Sequence, residues 1–302
     1  MKKYAVIDLG TNTFHLLIAT PDAQGGWSEL VRKRIFVKLA EEGIDRIGDA
    51  AFSRGLAALD QFRLELDANH IPPNAVRAYG TAALRTAGNA QAFLQAAFVQ
   101  TGLHVEIIDG LREAQLIFKG VRKAVPFPGN RVLVMDIGGG SVEMVLALDD
   151  QILWQQSFPV GVAVLFRRFQ HSDPITPKEI NAVERHLDKA LAELWQTLDR
   201  YPAPTLIGAA GAFDTIDHML LDPTLKPPLY GHVSVAAFEK LCDQILQTTL
   251  ADREQMALLA PERRTMIVVG FILIRRLVRR GNMREIFTSV YSMKEGMLAE
   301  MI

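Results

Sequence analysis

Two stretches decide the fold: Tyr4–Ala19, YAVIDLGTNTFHLLIA, and Val132–Ala147, VLVMDIGGGSVEMVLA. They align over 16 residues without a gap, 128 residues apart. Each has an apolar β-rich run, then Asp-x-Gly, then three small or polar residues, then a second β-rich run. Asp8 coincides with Asp136 and Gly10 with Gly138, and His15 stands where the second copy has Glu143. Solenoid repeats recur every 20–50 residues or so. A period this long therefore reads as a duplicated domain core, with a strand, a tight turn and a returning strand in each copy.

Outward from the repeat, strands and amphipathic helices alternate, which predicts an α/β chain. Leu56, Leu59, Phe62 and Leu66 mark a helix face, and Gly55 on that helix reads as a position that tolerates alanine. Val76–Tyr79 and Val105–Ile108 read as strands. Asp109 is placed to cap a helix that carries Leu111, Ala114 and Phe118 on one side. Thr176-Pro177-Lys178-Glu179 carries a capping box, and one helix is expected from it through Leu198. Thr205–Ile207 follows as a strand, and the last third reads as helical up to Ile286–Val290. Pro126-Phe127-Pro128-Gly129 marks the boundary, giving expected domains 1–125 and 126–302.

The 302 residues are 49% hydrophobic and 22% charged, with a net charge of -1. That is a globular composition without the basic excess of a nucleic-acid or anionic-membrane binder. Cys242 is the single cysteine, so no intramolecular disulfide or cysteine-rich zinc site forms; its apolar helical setting predicts a buried thiol. The longest apolar run, Met266–Ile274, has nine residues, against about 20 for a membrane span. Asp8, Asn12 and His15 interrupt the first apolar stretch, so it does not read as a secretion signal. A soluble cytoplasmic protein is expected.

A strand that enters a turn of Gly, Thr, Asn and Ser exposes several backbone N–H groups in one concavity, and such nests bind phosphate. An aspartate beside the turn would repel bare phosphate. It suits a phosphate that carries Mg²⁺, which uses one or two carboxylates, waters and phosphate oxygens. One Asp-x-Gly turn alone reads as an ordinary hairpin; two copies in matched context favour a paired phosphate clamp. GxxxxGK[ST], a strand-linked GxGxxG and GxSxG are all missing, so P-loop, Rossmann and serine-hydrolase readings find no support.

The paired turns resemble the phosphate loops of the actin, Hsp70 and sugar-kinase superfamily. Within it, the chain resembles the exopolyphosphatase / guanosine pentaphosphate phosphohydrolase (Ppx/GppA) family. The resemblance is carried by DLGTNT at 8–13, RIFVKLAEEG at 34–43, TAALR at 81–85 with Asn89, GLREA at 110–114, DIGGGSVE at 136–143, SFPVG at 157–161, GAAG at 208–211 and KEG at 294–296. It implies two actin-like (ribonuclease H-like) domains with an interdomain active-site cleft, and a C-terminal helix that packs back on the first domain. It implies Mg²⁺-dependent hydrolysis of a terminal phosphoanhydride in inorganic polyphosphate or guanosine pentaphosphate. It also implies a homodimer, with neither nucleic acid nor membrane as partner.

By the same resemblance, Glu113 matches the catalytic glutamate that activates water. Asp136 and Glu143 match the metal-binding acids, with Asp8 facing them. Arg85 matches a phosphate-contacting arginine. Gly10, Thr11, Asn12 and Thr13 form the first phosphate loop and Gly138, Gly139, Gly140 and Ser141 the second, with Gly208 and Gly211 in a further glycine loop. Without the resemblance, Glu113 reads as a solvated first-turn acid and His15 as a structural histidine. Arg275, Arg276, Arg279 and Arg280 read as a solvated face before a polyphosphate track, and Arg32-Lys33-Arg34 is read the same way.

The chain departs from the family pattern at Arg112, where a second acid is common, at Val164 and Thr265, and at Ala212, where a threonine is usual. Those departures keep a non-catalytic phosphate-binding regulator open as the alternative. An ATP-dependent kinase of the superfamily, with GAAG at the adenosine, is the third reading.

Overall fold

The structure, a computed structural model, describes residues 2–23 and 25–302. It divides into two compact units, Met1–Gly120 with Met293–Ile302, and Val121–Ser292.

The first unit runs β1 (Tyr4–Leu9), β2 (Thr13–Pro21), β3 (Trp27–Phe36), α1 (Asp49–Ala68), β4 (Val76–Gly80), α2 (Ala82–Thr86), α3 (Ala90–Thr101), β5 (Val105–Ile107) and α4 (Gly110–Ala124). Its sheet has the order β3-β2-β1-β4-β5, with β2 antiparallel to β1 and β3 and with β1, β4 and β5 parallel. Strand alternation sends Ala5, Ile7 and Leu9 into a core with Leu59 and Phe62 of α1 and Phe93 of α3. The same alternation turns Val6 and Asp8 to the other face.

The second unit runs β6 (Arg131–Ile137), β7 (Val142–Leu148), β8 (Gln151–Phe158), α5 (Val162–Phe169), α6 (Pro177–Ala190), α7 (Ala192–Arg200), β9 (Thr205–Ala209), α8 (Gly211–Leu220), β10 (Tyr230–Ser234), α9 (Val235–Leu246), α10 (Leu250–Glu254), α11 (Ile267–Arg280) and β11 (Glu285–Ser289). Its order β10-β11-β9-β6-β7-β8 repeats the first unit's plan, with β10 added antiparallel at one edge. The apolar run from Met266 becomes the start of α11, buried among α5, α6, α8 and α9. Cys242 lies beside it, fully buried, and burial pushes its thiol up to about 12.

The closing helix α12 (Met293–Ala299) belongs to the first unit, where it packs on β1. A Cβ at Gly296 would lie 1.8 Å from the Leu116 carbonyl oxygen, so only glycine lets α12 approach α4 this closely. Buried Glu295 takes an ion pair from Arg32 of β3 at 2.8 Å.

Several local expectations are corrected. On the expected side of α4 Ala114 and Phe118 are buried, but Leu111 is 45% exposed, and Leu116, Ile117 and Val121 complete the buried face. The helix expected to reach Leu198 breaks at Leu191, whose ψ of 21° leaves the helical range, and continues as α7. Gly55 does not tolerate a methyl group, because a Cβ there would meet the fully buried Phe93 ring at 2.7 Å. No helix among the described residues is long and apolar enough to cross a membrane.

Candidate phosphate-binding and catalytic site

In each unit the Asp-x-Gly turn closes the same way. The Gly10 N–H donates to the Thr13 carbonyl at 3.1 Å, and the Gly138 N–H to the Ser141 carbonyl at 3.0 Å. Beyond each third strand, a buttress captures the turn's carbonyl groups. Val37 and Lys38 donate to the Asn12 carbonyl at 2.8 and 2.9 Å, and Leu39 donates to that of Thr11 at 2.8 Å. In the second unit Gly161, Val162 and Ala163 donate to the carbonyls of Gly140, Gly138 and Gly139 at 3.2, 3.0 and 2.9 Å. These donors open α5, so one set of bonds satisfies a helix start and orients a loop.

Peptide planes whose C=O groups face a buttress turn their N–H groups the other way. Among the described residues, the backbone N–H groups of Thr11, Gly139 and Gly140 have no protein acceptor. Gly139 and Gly140 are buried residues, and buried N–H groups are almost always paired. The turns are built to receive an acceptor. Gly161 is the residue that sequence reasoning passed over as a site residue. A Cβ there would lie 2.4 Å from the carbonyl of Gly139, so the signal was available only as the glycine of SFPVG.

Registered cross-strand rows carry the charges. In the second unit Asp136, Glu143 and Ser157 stand opposite one another on β6, β7 and β8, and such rows share a sheet face. The Ser141 and Ser157 hydroxyls each donate to Glu143 Oε1 at 2.7 Å, and Ser292 donates to Asp136 Oδ2. Asp136 and Glu143 are 8% and 2% exposed. The corresponding row of the first unit is Asp8, His15 and Arg34 on β1, β2 and β3, so the aligned position changes from acid to histidine and arginine.

Two carboxylates side by side fit a Mg²⁺ that keeps waters and phosphate oxygens. Among the described residues no group of three or more His, Cys, Asp or Glu side chains forms a closed metal cage.

The first unit brings Arg85 and Glu113 together. Glu113 stands in the first turn of α4, 8% exposed, where Asp109 accepts the Arg112 N–H at 2.7 Å as the expected cap. Arg85 Nη1 donates to Glu113 Oε2 at 2.8 Å and to the Ile108 carbonyl at 2.9 Å. Glu113 is therefore neither solvated nor held by the helix dipole alone.

Two further candidates are engaged in packing. Gly208 lies within β9, where Phe213 would sit 2.0 Å from a Cβ. Gly211 opens α8 at φ +51°, close to the Ile137 carbonyl and to Arg263 Nη1. The preceding Ala210 holds φ 56° and ψ -177°, a region essentially reserved for glycine. Ala212 is buried in the core.

The arginine clusters resolve into pairs. Arg276 forks Asp188 with two bonds of 2.7 Å, Arg279 forks Glu239 at 2.8 and 2.6 Å, and Arg275 and Arg280 reach Asp243 and Asp199 at 3.2 and 3.6 Å. They tie α11 to its neighbours, and Arg279 and Arg280, 54% and 46% exposed, keep the solvated face that was expected, while Arg275 is buried. Lys33 pairs with Glu65 at 2.7 Å, and Arg32 pairs with Glu29 as well as Glu295.

Exopolyphosphatase 2 of Mycobacterium tuberculosis is 29% identical over 297 residues, which cover 92% of this chain and 91% of that protein. A guanosine-5'-triphosphate,3'-diphosphate pyrophosphatase of Aeromonas salmonicida is 29% identical over 306 residues, 98% of this chain but 58% of that longer protein. An exopolyphosphatase crystal structure from Cytophaga hutchinsonii is 34% identical, with a TM-score of 0.94, covering 99% of this chain and 97% of that one. The units are the actin-like α/β domains that the resemblance implies. With residues 17–302 matching its pattern, the chain belongs to the Ppx/GppA phosphatase family.

Proposed function

We propose that this chain is a phosphohydrolase that removes the terminal phosphate of a condensed phosphate, either inorganic polyphosphate or guanosine pentaphosphate. The observation that carries the reading is the pair of buttressed turns, with the N–H groups of Gly139 and Gly140, turned away from the buttress, and that of Thr11 all lacking protein acceptors. The names of the relatives from Mycobacterium and Aeromonas support the two substrate classes.

In this reading the turn Gly10–Thr13 and the turn Gly138–Ser141 bind phosphate oxygens through backbone N–H groups. Mg²⁺, with Asp136 and Glu143 as its acids and Asp8 at the aligned position of the first unit, would neutralise charge on those oxygens. Glu113 orients a water and accepts its proton at a carboxylate oxygen while the water oxygen bonds to phosphorus and the bridging P–O bond breaks. Arg85 fixes the Glu113 carboxylate and offers its remaining N–H donors to the phosphoryl group. Little covalent help is needed, because phosphoryl transfer is dominated by positioning and charge stabilisation.

A phosphate-release assay over long polyphosphate, tripolyphosphate, guanosine pentaphosphate and ATP, with Mg²⁺ and with excess EDTA, tests the reading. Release from at least one of the first three that EDTA abolishes is expected. Tight binding without release from any of them would make the chain a non-catalytic binder; activity with ATP only when an acceptor is added would make it a kinase.

A further inference from the structure

The basic residues of the two units are matched to acids in different ratios. The four arginines of α11 each have a carboxylate partner, Asp243, Asp188, Glu239 and Asp199. In the first unit, Arg77 of β4 with Arg112 and Lys119 of α4 converge on a single carboxylate, that of Glu300 just beyond α12. Arg112 Nη1 donates to Glu300 Oε1 at 2.9 Å and its Nη2 to Oε2, while Lys119 donates to Oε1. Arg77 Nη1 stands 3.5 Å from Oε2, close enough for an ion pair but too far for a good hydrogen bond. Among the described residues no other carboxylate is within ion-pair distance of these three cations. Asp109 is adjacent, but its Oδ1 serves the Arg112 backbone N–H.

Three cations thus share the one carboxylate within ion-pair distance of them, that of Glu300. The side chains of Arg77, Arg112 and Lys119 are 41%, 33% and 48% exposed, whereas that of Glu300 is 15% exposed. The acid is thus the least exposed of the four side chains, and Arg112 also meets the Tyr79 hydroxyl. Burial alone would push the Glu300 carboxyl up, but the hydrogen bonds from Arg112 and Lys119 outweigh it and hold it below the usual range. Glu300 is therefore an anion at neutral pH.

We propose that this cluster is a second oxyanion site that takes non-reacting phosphate groups of a condensed phosphate chain, with Glu300 as a built-in competitor. Arginine's planar fork suits phosphate and lysine adds a point charge. Arg112 and Lys119 reach the same oxygen of Glu300, so the cations are closely set, and a chain of linked phosphates brings more negative charge to them than one orthophosphate does. Arg112 also stands one residue before Glu113 on the same helix turn. The inference rests on condensed phosphate being the substrate.

The test is calorimetric binding of long-chain polyphosphate and of orthophosphate without divalent cations. The proteins are wild type, Glu300→Gln, Lys119→Gln, Arg77→Gln and the charge-matched control Arg279→Gln. Glu300→Gln should tighten long-chain binding about three- to fivefold, the worth of one exposed charge pair, and Lys119→Gln and Arg77→Gln should weaken it by a similar factor. Arg279→Gln should leave it unchanged. Equal affinities throughout overturn the proposal. So does an Arg279→Gln shift as large as that of Lys119→Gln, which would assign the effect to net charge, or an equal response with orthophosphate. Should Glu300→Gln fail to fold, the Lys119 and Arg77 variants decide the matter. A wild type that binds as expected but releases no phosphate from polyphosphate with Mg²⁺ would sink the substrate reading separately.

Discussion

Glu113 is 8% exposed and accepts a hydrogen bond from the Arg85 guanidinium at 2.8 Å. Its place in the first turn of a helix was legible, because Asp109 signals the cap. Its burial and its ion pair with Arg85 were not, since those depend on β4 and α2 arriving from another part of the chain. The consequence is energetic. A surface first-turn glutamate would be worth under about 1 kcal/mol, whereas a buried acid that accepts from a guanidinium is worth about 1.5–3 kcal/mol. Glu113→Gln keeps an acceptor oxygen, so a stability loss of about 1–2 kcal/mol is expected in urea denaturation. Turnover should fall by about 10²–10⁴-fold with little change in KM, as for a lost general base. A variant within about threefold of wild type in phosphate release would remove Glu113 from the mechanism.

Gly161 makes the complementary case, a residue whose role is invisible without the fold. At φ -63° its backbone suits any residue, so the demand for glycine comes only from the Gly139 carbonyl 2.4 Å from where a Cβ would stand. Gly161→Ala should leave far-UV circular dichroism unchanged. It should weaken binding of a nonhydrolysed condensed-phosphate analogue at least about tenfold, because the loop must shift and its N–H groups with it. Exposed Gly88 has only the Asp45 carbonyl near, at 3.8 Å, and Gly88→Ala is the matched control. Unchanged affinity in the Gly161 variant would show that the buttress does not set the nest.

At the scale of elements, the buried strands and their registers were legible because apolar runs on both sides of a turn admit few alternatives. The missed elements β3, β8 and β10 alternate or mix polar side chains, as in WSELVRKRIF and QILWQQSF, and their pairing is fixed by neighbours rather than by their own composition. Helix α1 shows a local rule overridden by packing. Alanine beats glycine by about 1 kcal/mol in a helix interior, but a methyl group at Gly55 meets Phe93, and overpacking costs about 1–3 kcal/mol. Gly55→Ala is expected to lower stability by about 1–2 kcal/mol in chemical denaturation, and an increase would mean that Phe93 can move aside.

The capping box of α6 gives a pH signature. Burial would raise the Glu179 carboxyl, but the Thr176 hydroxyl and the N–H groups of Thr176, His171 and Ser172 outweigh it and hold the group at about 2, from an ordinary 4.5. A depressed carboxylate stabilises the fold above its unfolded value, and that contribution disappears as pH falls from about 4.5 towards 2. Glu179→Gln should therefore flatten the acid limb of stability against pH in that window. Parallel curves for variant and wild type would show that the box contributes nothing.

For the whole molecule, the repeat announced two related units, and each has the same central strand order. Assignment of the last ten residues to the first unit rests on features that no periodicity reveals: Gly296 against the Leu116 carbonyl and Glu295 against Arg32. This has a consequence for how the protein is made. The second unit is one uninterrupted stretch of chain, complete once Ser292 is synthesised, while the first unit, begun at the N-terminus, still lacks α12. A ribosome thus delivers the earlier-encoded unit last, and its sheet waits for its final cover through the whole translation of the other. Deleting residues 293–302 would spare the middle of the chain and leave β1 bare, a defect felt at the opposite end of the sequence and out of proportion to the mass lost.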